Sequence, residues 1–376
     1  MKKIILLGIF VAVVVGIILL YQKFAQNSPE TPSAPKATKN LDMSVTKTQV
    51  EKVTTLVENL DTPWSLAFLP DGTLLVTERN GKLSQVSDSG VRQIATIDKS
   101  TEYGEGGLMG LAIHPDFESN NYIYLYYTYF SDDNRTLNRV ARYKLANNSL
   151  SNETIIVDNI PGGIYHDGGR IKFGPDGFLY ITTGDSTNPS LSQDRNSLAG
   201  KILRVTEDGS PASGNPFGTR IYSYGHRNPQ GITWDGTGVL WETEHGPSGS
   251  WPNCCQDELN RIEIGANFGW PDSVGDKVDS GTAAPILHSG RNIWAPGDIA
   301  YLNNKLYFAG LRGETLYVYD LSTRNLSEYF KGEFGRLREV IAGPDNLLYI
   351  TTSNRDGRGD PAEADDRIIR IDPAQL

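Results

Sequence analysis

The sequence is short of cysteine, of positive charge and of helical periodicity. Its 376 residues include two cysteines, and they are neighbours, Cys254 and Cys255 in WPNCCQDELN. Two thiols with no second pair nearby make a poor zinc site. As neighbours they can close an eight-membered disulfide ring, stay free, or pair between chains. Lysine and arginine number 35 against 45 aspartates and glutamates, a formal net charge of −10. Phosphate binding needs a basic face, so this balance excludes nucleic acid as the partner and is compatible with sugars or cations. Apolar residues almost nowhere recur at helical spacing in the body of the chain, which argues against alternating strand and helix units.

What is present begins with an unbroken apolar run, IILLGIFVAVVVGIILL from Ile4 to Leu20, behind MKK. Its length is at the lower end of what spans a bilayer, and the YQKFAQNS that follows carries no small-x-small cleavage signature. Residues 1–26 are therefore expected to be a retained membrane anchor, with a cleaved signal as the alternative. Two lysines before the run against one just after it favour a cytoplasmic amino terminus and an extracytoplasmic body, secreted if the segment is cleaved. Residues 27–41, which contain NSPETPSAPKATKN, read as an extended tether. Residues 42–376 form the folded domain, long enough for a large core.

One phrase returns along that domain: a Pro-Asp or Asp-Gly turn, then a short aromatic or aliphatic strand. It reads LPDGTLLVTERNGKL from Leu69, HPDFESNNYIYLYYT from His114, GPDGFLYITTGD from Gly174, WDGTGVLWETEHG from Trp234 and GPDNLLYITTSNRDG from Gly343. A weaker copy is AYLNNKLYFAGLRGETLYVYDL from Ala300. Glycine or asparagine in such turns accepts positive φ, and alternation within FLYITTGD predicts a half-buried strand. Six copies at this spacing predict an all-β, six-bladed β-propeller, whose ligands bind where loops crowd the mouth of the central tunnel.

Polar residues that a core would not want gather between these strands. YHDGG sets His166 among glycines, YSYGHRNPQGITWD puts His226, Arg227 and Asn228 in a row, and EHGPSGSWPNCCQDELN follows the next strand. EHGP and DELN are acidic and turn-rich, as calcium loops are. FGRLREVIAGPD carries Arg336 and Arg338 two residues apart, so both leave one face of a strand. Two guanidiniums on one face repel each other unless an anion sits between or above them, and arginine grips carboxylates in bidentate fashion.

GEGGLMGLAIHPDF, YHDGGRIKFGPDG, YITTGD, YSYGHRNPQGI, EHGP, DELN and GANFGWP occur in that order. Together they resemble the soluble-type glucose/sorbosone dehydrogenases that use pyrroloquinoline quinone (PQQ), and the aldose sugar dehydrogenases in particular, from Val53 to Ile371. The resemblance implies a six-bladed propeller and a flat ortho-quinone cofactor bearing three carboxylates. It implies His166 as general base, Asp185 as the acid that holds it, Arg227 and Asn228 beside the quinone oxygens, and Arg336 and Arg338 on the carboxylates. Carbonyls of Gly246 and Pro247 would hold a calcium ion shared with the quinone, and Glu258 with the carbonyl of Phe268 a second, structural calcium. Trp294 matches an aromatic near the pocket mouth. Glu105 stands where the glucose-specific members carry glutamine, and Arg312 where a cofactor lysine is expected.

The chemistry so implied is oxidation of an aldose sugar at its anomeric carbon to a lactone, with electrons passed on to an external acceptor. Two other readings share the architecture. A metal-dependent lactonase or esterase needs a carboxylate-lined tunnel metal where this chain has converging arginines, and a non-catalytic binding propeller has no use for His166 and Arg227.

Overall fold

The computed structural model describes residues 52–87, 90–248 and 254–376. The expected anchor and tether lie outside them, as do residues 42–51 of the expected domain. Among the described residues no helix is long and apolar enough to cross a membrane. Helix there is confined to Phe117–Asn120, Ser190–Gln193 and a terminal 3-10 turn, Pro373–Gln375.

Strand β1 (Val53–Val57) is followed by five sequential four-stranded sheets. Blade one is β2 (Pro63–Phe68), β3 (Leu74–Glu78), β4 (Lys82–Ser87) and β5 (Gly90–Thr96). Blade two is β6 (Leu108–Ile113), β7 (Tyr122–Phe130), β8 (Thr136–Ala146) and β9 (Ser149–Pro161). Blade three is β10 (Ile171–Phe173), β11 (Leu179–Thr183), β12 (Lys201–Val205) and β13 (Ile221–Tyr224). Blade four is β14 (Pro229–Trp234), β15 (Leu240–Glu244), β16 (Glu258–Ile262) and β17 (Leu287–His288). Blade five is β18 (Pro296–Leu302), β19 (Lys305–Gly310), β20 (Leu316–Asp320) and β21 (Leu326–Tyr329). Blade six takes β22 (Leu337–Ala342), β23 (Leu348–Thr352) and β24 (Ile368–Ile371) from the end of the chain and β1 from its start, with Val53 opposite Ile371. The six-bladed propeller is the expected one.

Each copy of the repeated phrase is the hairpin joining the first and second strands of a blade. The aspartates cap their own turns: Asp71 Oδ1 accepts from Thr73 N at 2.9 Å and Asp235 Oδ1 from Thr237 N at 2.8 Å. Gly72, Gly177, Gly238 and Asn346 take the positive φ such turns require.

The strand after the turn differs from expectation. β11 is buried along its whole length, not on one face, because each central strand is covered on both sides by neighbouring blades. Its alternation separates two cores: Leu179 and Ile181 pack with Tyr124 and Val140 of blade two, while Tyr180 packs with Ile232 and Leu240 of blade four. With both faces pinned, Ile181→Ala is expected to cost about 2–5 kcal/mol.

The axis of the ring is closed by charge. Arg170, just ahead of β10, is 1% exposed and pairs with Glu339 at 2.5 Å and Asp298 at 3.3 Å. Its guanidinium lies 4.2 Å over the ring of Trp64, and Lys172 meets Asp298 at 2.7 Å. Four blades contribute to this plug. A cavity opening from one end of the ring is therefore blind at its base.

Candidate active site

In a blade whose strands run antiparallel, the start of the first strand and the end of the second lie at the same end of the molecule. Segments from those two places in different blades build one cavity of about 580 Å³. Glu105, His166, Arg227, Ala295 and Arg336 come from leads into first strands, and His245, Gly246, Pro247, Leu311, Arg312 and Arg358 follow second strands.

His166 takes φ of +65°, a left-handed conformation that non-glycine residues seldom adopt. The glycines around it make room. A Cβ on Gly184 would fall 1.9 Å from the His166 carbonyl oxygen, and one on Gly168, itself at φ +66°, would fall 2.7 Å from Thr182 O. Asn228 Oδ1 accepts from Gly168 N at 3.1 Å, and Asp185 N donates to Arg227 O at 2.8 Å, tying the histidine loop to HRNP.

His166 Nδ1 is 2.7 Å from Asp185 Oδ1. A carboxylate only accepts, so Nδ1 carries the proton and Nε2 is left as the basic nitrogen. Asp185 is held in turn: its Oδ2 accepts from Trp270 Nε1 at 2.8 Å and its Oδ1 from Thr187 N at 2.8 Å. On the other side, His166 N donates to Glu105 Oε2 at 3.1 Å, and Glu105 Oε1 pairs with Arg358 Nη1. Burial alone would raise the Glu105 carboxyl, but His245 and Arg358 overcome it and hold it at about 2. Burial drops His245 itself to about 4, so at neutral pH Arg358 is the cation that acts.

Arg336 and Arg338 are together as expected, and an anion does sit between them. It is Asp356, whose Oδ2 lies 2.8 Å from Arg336 Nη2 and 3.3 Å from Arg338 Nη2. Arg338 also donates from Nε to Ser353 Oγ at 3.0 Å, and burial lowers its pKa to about 10. Asp356 does not exhaust the positive charge. Five arginines line the cavity, Arg227, Arg312, Arg336, Arg338 and Arg358, against two carboxylates, Glu105 and Asp257. Arg227 donates to His245 O at 3.1 Å and Ser248 Oγ at 3.3 Å, while its buried Nε has no partner among the described residues; neither has Asn228 Nδ2. Unmatched buried donors and surplus guanidiniums fit a ligand rich in acceptor oxygens.

Not every expected residue reaches this cavity. Asp185 and Asn228 stand behind its wall. Trp294 is expected near the mouth; instead its ring packs 5.3 Å from Phe308 and 5.5 Å from Tyr317 in the core of blade five, leaving Ile293 and Ala295 on the wall. Gly246 and Pro247 line the cavity, and Asp257 Oδ1 holds Gly246 N at 2.9 Å. Glu258 lies away from it on β16, where burial and the neighbouring Glu244 push its carboxyl up to about 8, and Phe268 is buried against His226. Cys254 and Cys255 are bridged to each other and form part of the wall. Asp356, Arg358, His245, Asp257 and Trp270 escaped the sequence reading. The signal available was position: NRDGR follows β23 as Gly184 and Asp185 follow β11 and HGP follows β15.

A propeller that sets an oriented histidine at the edge of an arginine-lined cavity has the form of an enzyme scaffold suited to a polyanionic ligand. The chain belongs to the glucose/sorbosone dehydrogenase family, matched over residues 60–369. An aldose sugar dehydrogenase of Escherichia coli is 29% identical over 343 residues, covering 81% of this chain and 91% of that protein. Quinoprotein glucose dehydrogenase B of Acinetobacter calcoaceticus is 32% identical over 293 residues, which span 68% of this chain and 58% of that protein. The PQQ-bound form of an aldose sugar dehydrogenase from Streptomyces coelicolor superposes with a TM-score of 0.79 at 40% identity, covering 85% of this chain and 97% of that one.

Proposed function

We propose that this protein oxidises aldose sugars at the anomeric carbon to lactones, using PQQ and calcium, with His166 as the general base. The observation that carries the reading is the His166–Asp185 pair at the edge of a cavity whose buried Arg227 Nε has no acceptor among the described residues. Arg336 and Arg338 would hold the cofactor carboxylates, Arg227 its quinone oxygens with Asn228 supporting the histidine loop from behind the wall, and Arg312 a further acidic edge. Glu105 would border the same ligand. Gly246 and Pro247 would hold a calcium ion beside it. Glu258 and the Phe268 carbonyl would hold a second, structural calcium.

Bound PQQ with its calcium supplies the acceptor for the two electrons that leave with the C1 hydrogen. The chain supplies the rest. His166 Nε2 takes the proton of the C1 hydroxyl, and buried Asp185 keeps the ring in one tautomer and offsets the imidazolium that forms. The Glu105–Arg358 pair fixes the backbone of His166, so the base does not drift from the sugar. A lactonase or esterase reading is less favoured, because the cavity concentrates arginines in place of a carboxylate-held metal.

The amino-terminal segment would keep the enzyme at the outer face of the cell membrane, close to an external electron acceptor. The test of the whole reading is reconstitution. Purified protein freed of cofactor is titrated with PQQ and calcium and assayed on several aldoses with an artificial acceptor. Lactone formation that needs both additions supports the proposal; stoichiometric PQQ binding without turnover on any aldose refutes it.

A further inference from the structure

Three aromatic side chains are exposed among the described residues, and all three stand around the cavity end of blade two. Tyr103 leads into β6, Phe130 ends β7, and Tyr165 lies between β9 and β10. They are 39%, 44% and 42% exposed, and Ile164 beside them is 44% exposed. The four form one strip. The rings of Tyr103 and Phe130 are 5.4 Å apart and inclined at 64°. The turn after Tyr103 is laid directly on the segment ahead of His166: Glu105 N donates to Ile164 O at 3.0 Å, and a Cβ on Gly104 would fall 2.0 Å from that same oxygen. Tyr165 is itself part of the cavity wall, one residue before His166, with the Arg358 guanidinium 5.2 Å over its ring. Tyr103 and Phe130 do not line the cavity. The strip therefore starts in the wall and runs out across the rim.

A contiguous apolar patch rimmed by polar side chains marks a binding surface. The charges along this one are matched in pairs: Glu102 with Arg79 at 2.8 Å, Asp133 with Arg135 at 2.7 Å, and Glu105 with Arg358. Such a border offers no field of one sign to draw in a charged partner. A neutral sugar suits both parts of the surface. The C–H groups on the face of its ring pack against aromatic rings, and the hydroxyls around its edge hydrogen-bond to carboxylates and guanidiniums. Volume points the same way. The cavity of about 580 Å³ has to take PQQ and the sugar unit being oxidised, and it is no larger than the pocket of a single drug-sized ligand. Any further unit of the same molecule lies outside it, over the strip.

We propose that Tyr165, Tyr103 and Phe130 hold the outer units of a neutral oligosaccharide whose reducing end is the unit oxidised. This rests on the reading of the cavity as a site of aldose oxidation, and it names the substrate class of that site. Tyr165 carries the unit next to the reacting one, and Tyr103 with Phe130 the unit beyond. Contacts far from C1 keep the reacting unit against His166, so a longer substrate gains in turnover as well as in affinity.

Full-length protein loaded with PQQ and calcium is assayed with a small artificial acceptor on glucose, cellotriose and maltotriose. For at least one trisaccharide kcat/KM should exceed that for glucose by about tenfold or more. In a double variant, Tyr103→Ala with Phe130→Ala, that advantage should vanish while glucose kinetics and the melting temperature hold. A second readout needs no turnover: the methyl glycosides of both trisaccharides, which have no free C1 hydroxyl, are added to PQQ-free protein. Saturation-transfer NMR should mark the outer rings of at least one of them with the wild type and of neither with the double variant. Equal kcat/KM for glucose and both trisaccharides would overturn the proposal, as would a length advantage that survives in the double variant or a loss shared equally by glucose. A double variant that treats every sugar as the wild type does, but loses turnover with a redox-protein acceptor, would give the strip to an electron carrier and overturn it too. If no sugar is oxidised by the wild type, the aldose reading itself fails, and the NMR comparison alone decides whether the strip binds sugar.

Discussion

Asp185 Oδ1 lies 2.7 Å from His166 Nδ1, and the carboxylate is fully buried while the imidazole keeps 15% of its side chain exposed. The buried partner orients and the exposed one reacts. Asp185→Asn should therefore leave the fold and PQQ affinity near normal but reduce turnover by at least about a hundredfold, since the amide can stabilise the wrong tautomer. His166→Gln should lose as much. Turnover normalised to bound PQQ, beside a melting curve, is the measurement. A lowered melting temperature with near-normal turnover would make the histidine structural.

Asp356 stands between Arg336 and Arg338, so its removal and theirs should have opposite signatures. Asp356→Asn leaves two buried guanidiniums short of an anion and should destabilise the cofactor-free protein by about 3–5 kcal/mol. Saturating PQQ should recover much of that loss. Arg336→Ala and Arg338→Ala should each raise the PQQ dissociation constant with less effect on turnover at saturation. Urea denaturation with and without PQQ tests the first point; an equal loss in both states would show that the ligand does not meet these arginines.

Asp167, next to His166, is wholly enclosed. Its Oδ1 accepts from Asn138 and Gly163, and its Oδ2 has no partner among the described residues. Burial pushes its carboxyl up to about 7, against ~3.9 in an unfolded chain. The folded state then binds the proton more tightly, so this group favours folding at low pH and its contribution is lost as pH rises from about 4 to about 7. Asp167→Asn should remove that slope. Melting temperatures of both proteins across the interval should converge at the acid end and separate towards neutrality, with the variant higher.

Calcium and PQQ should bind as a linked pair, since both are assigned to the wall carrying Gly246 and Pro247. Chelation should raise the PQQ dissociation constant and lower the melting temperature. PQQ affinity that ignores the chelator would sink the shared-ion arrangement.

Truncation should separate tether from fold. A chain beginning at Asp42 keeps β1 and should be soluble, whereas one beginning at Glu58 loses the strand that pairs with β24 and should aggregate. Equal solubility of the two, by size-exclusion chromatography, would mean that blade six holds with three strands.

The fold was legible because each blade announces itself with one turn, and turn chemistry is local: Asp71, Asp176, Asp235 and Asp345 each cap a hairpin from within it. His166, Arg227 and Arg336 were legible for a related reason, since they sit beside glycines or polar runs that suit no core. Side-chain direction was not. Trp294 lies one residue from two wall residues, and its ring direction follows from how the segment ahead of β18 enters the sheet. Asp356 is invisible as the partner of Arg336 and Arg338 because it follows Arg338 by 18 residues and meets the pair only through the fold of blade six. Full burial of β11 depends on the neighbouring blades, which no single repeat encodes.

The pairing of Val53 with Ile371 sets a schedule for synthesis. The ring cannot shut until its last strand exists, so β1 must remain without its partner while more than 300 residues follow it. At about 5–20 residues per second that wait is roughly 15–60 s. During it β1 is an unpaired edge of the kind that recruits other chains. A ring with such a seam closes last where it began, and the nascent protein depends on whatever shelters that strand until then.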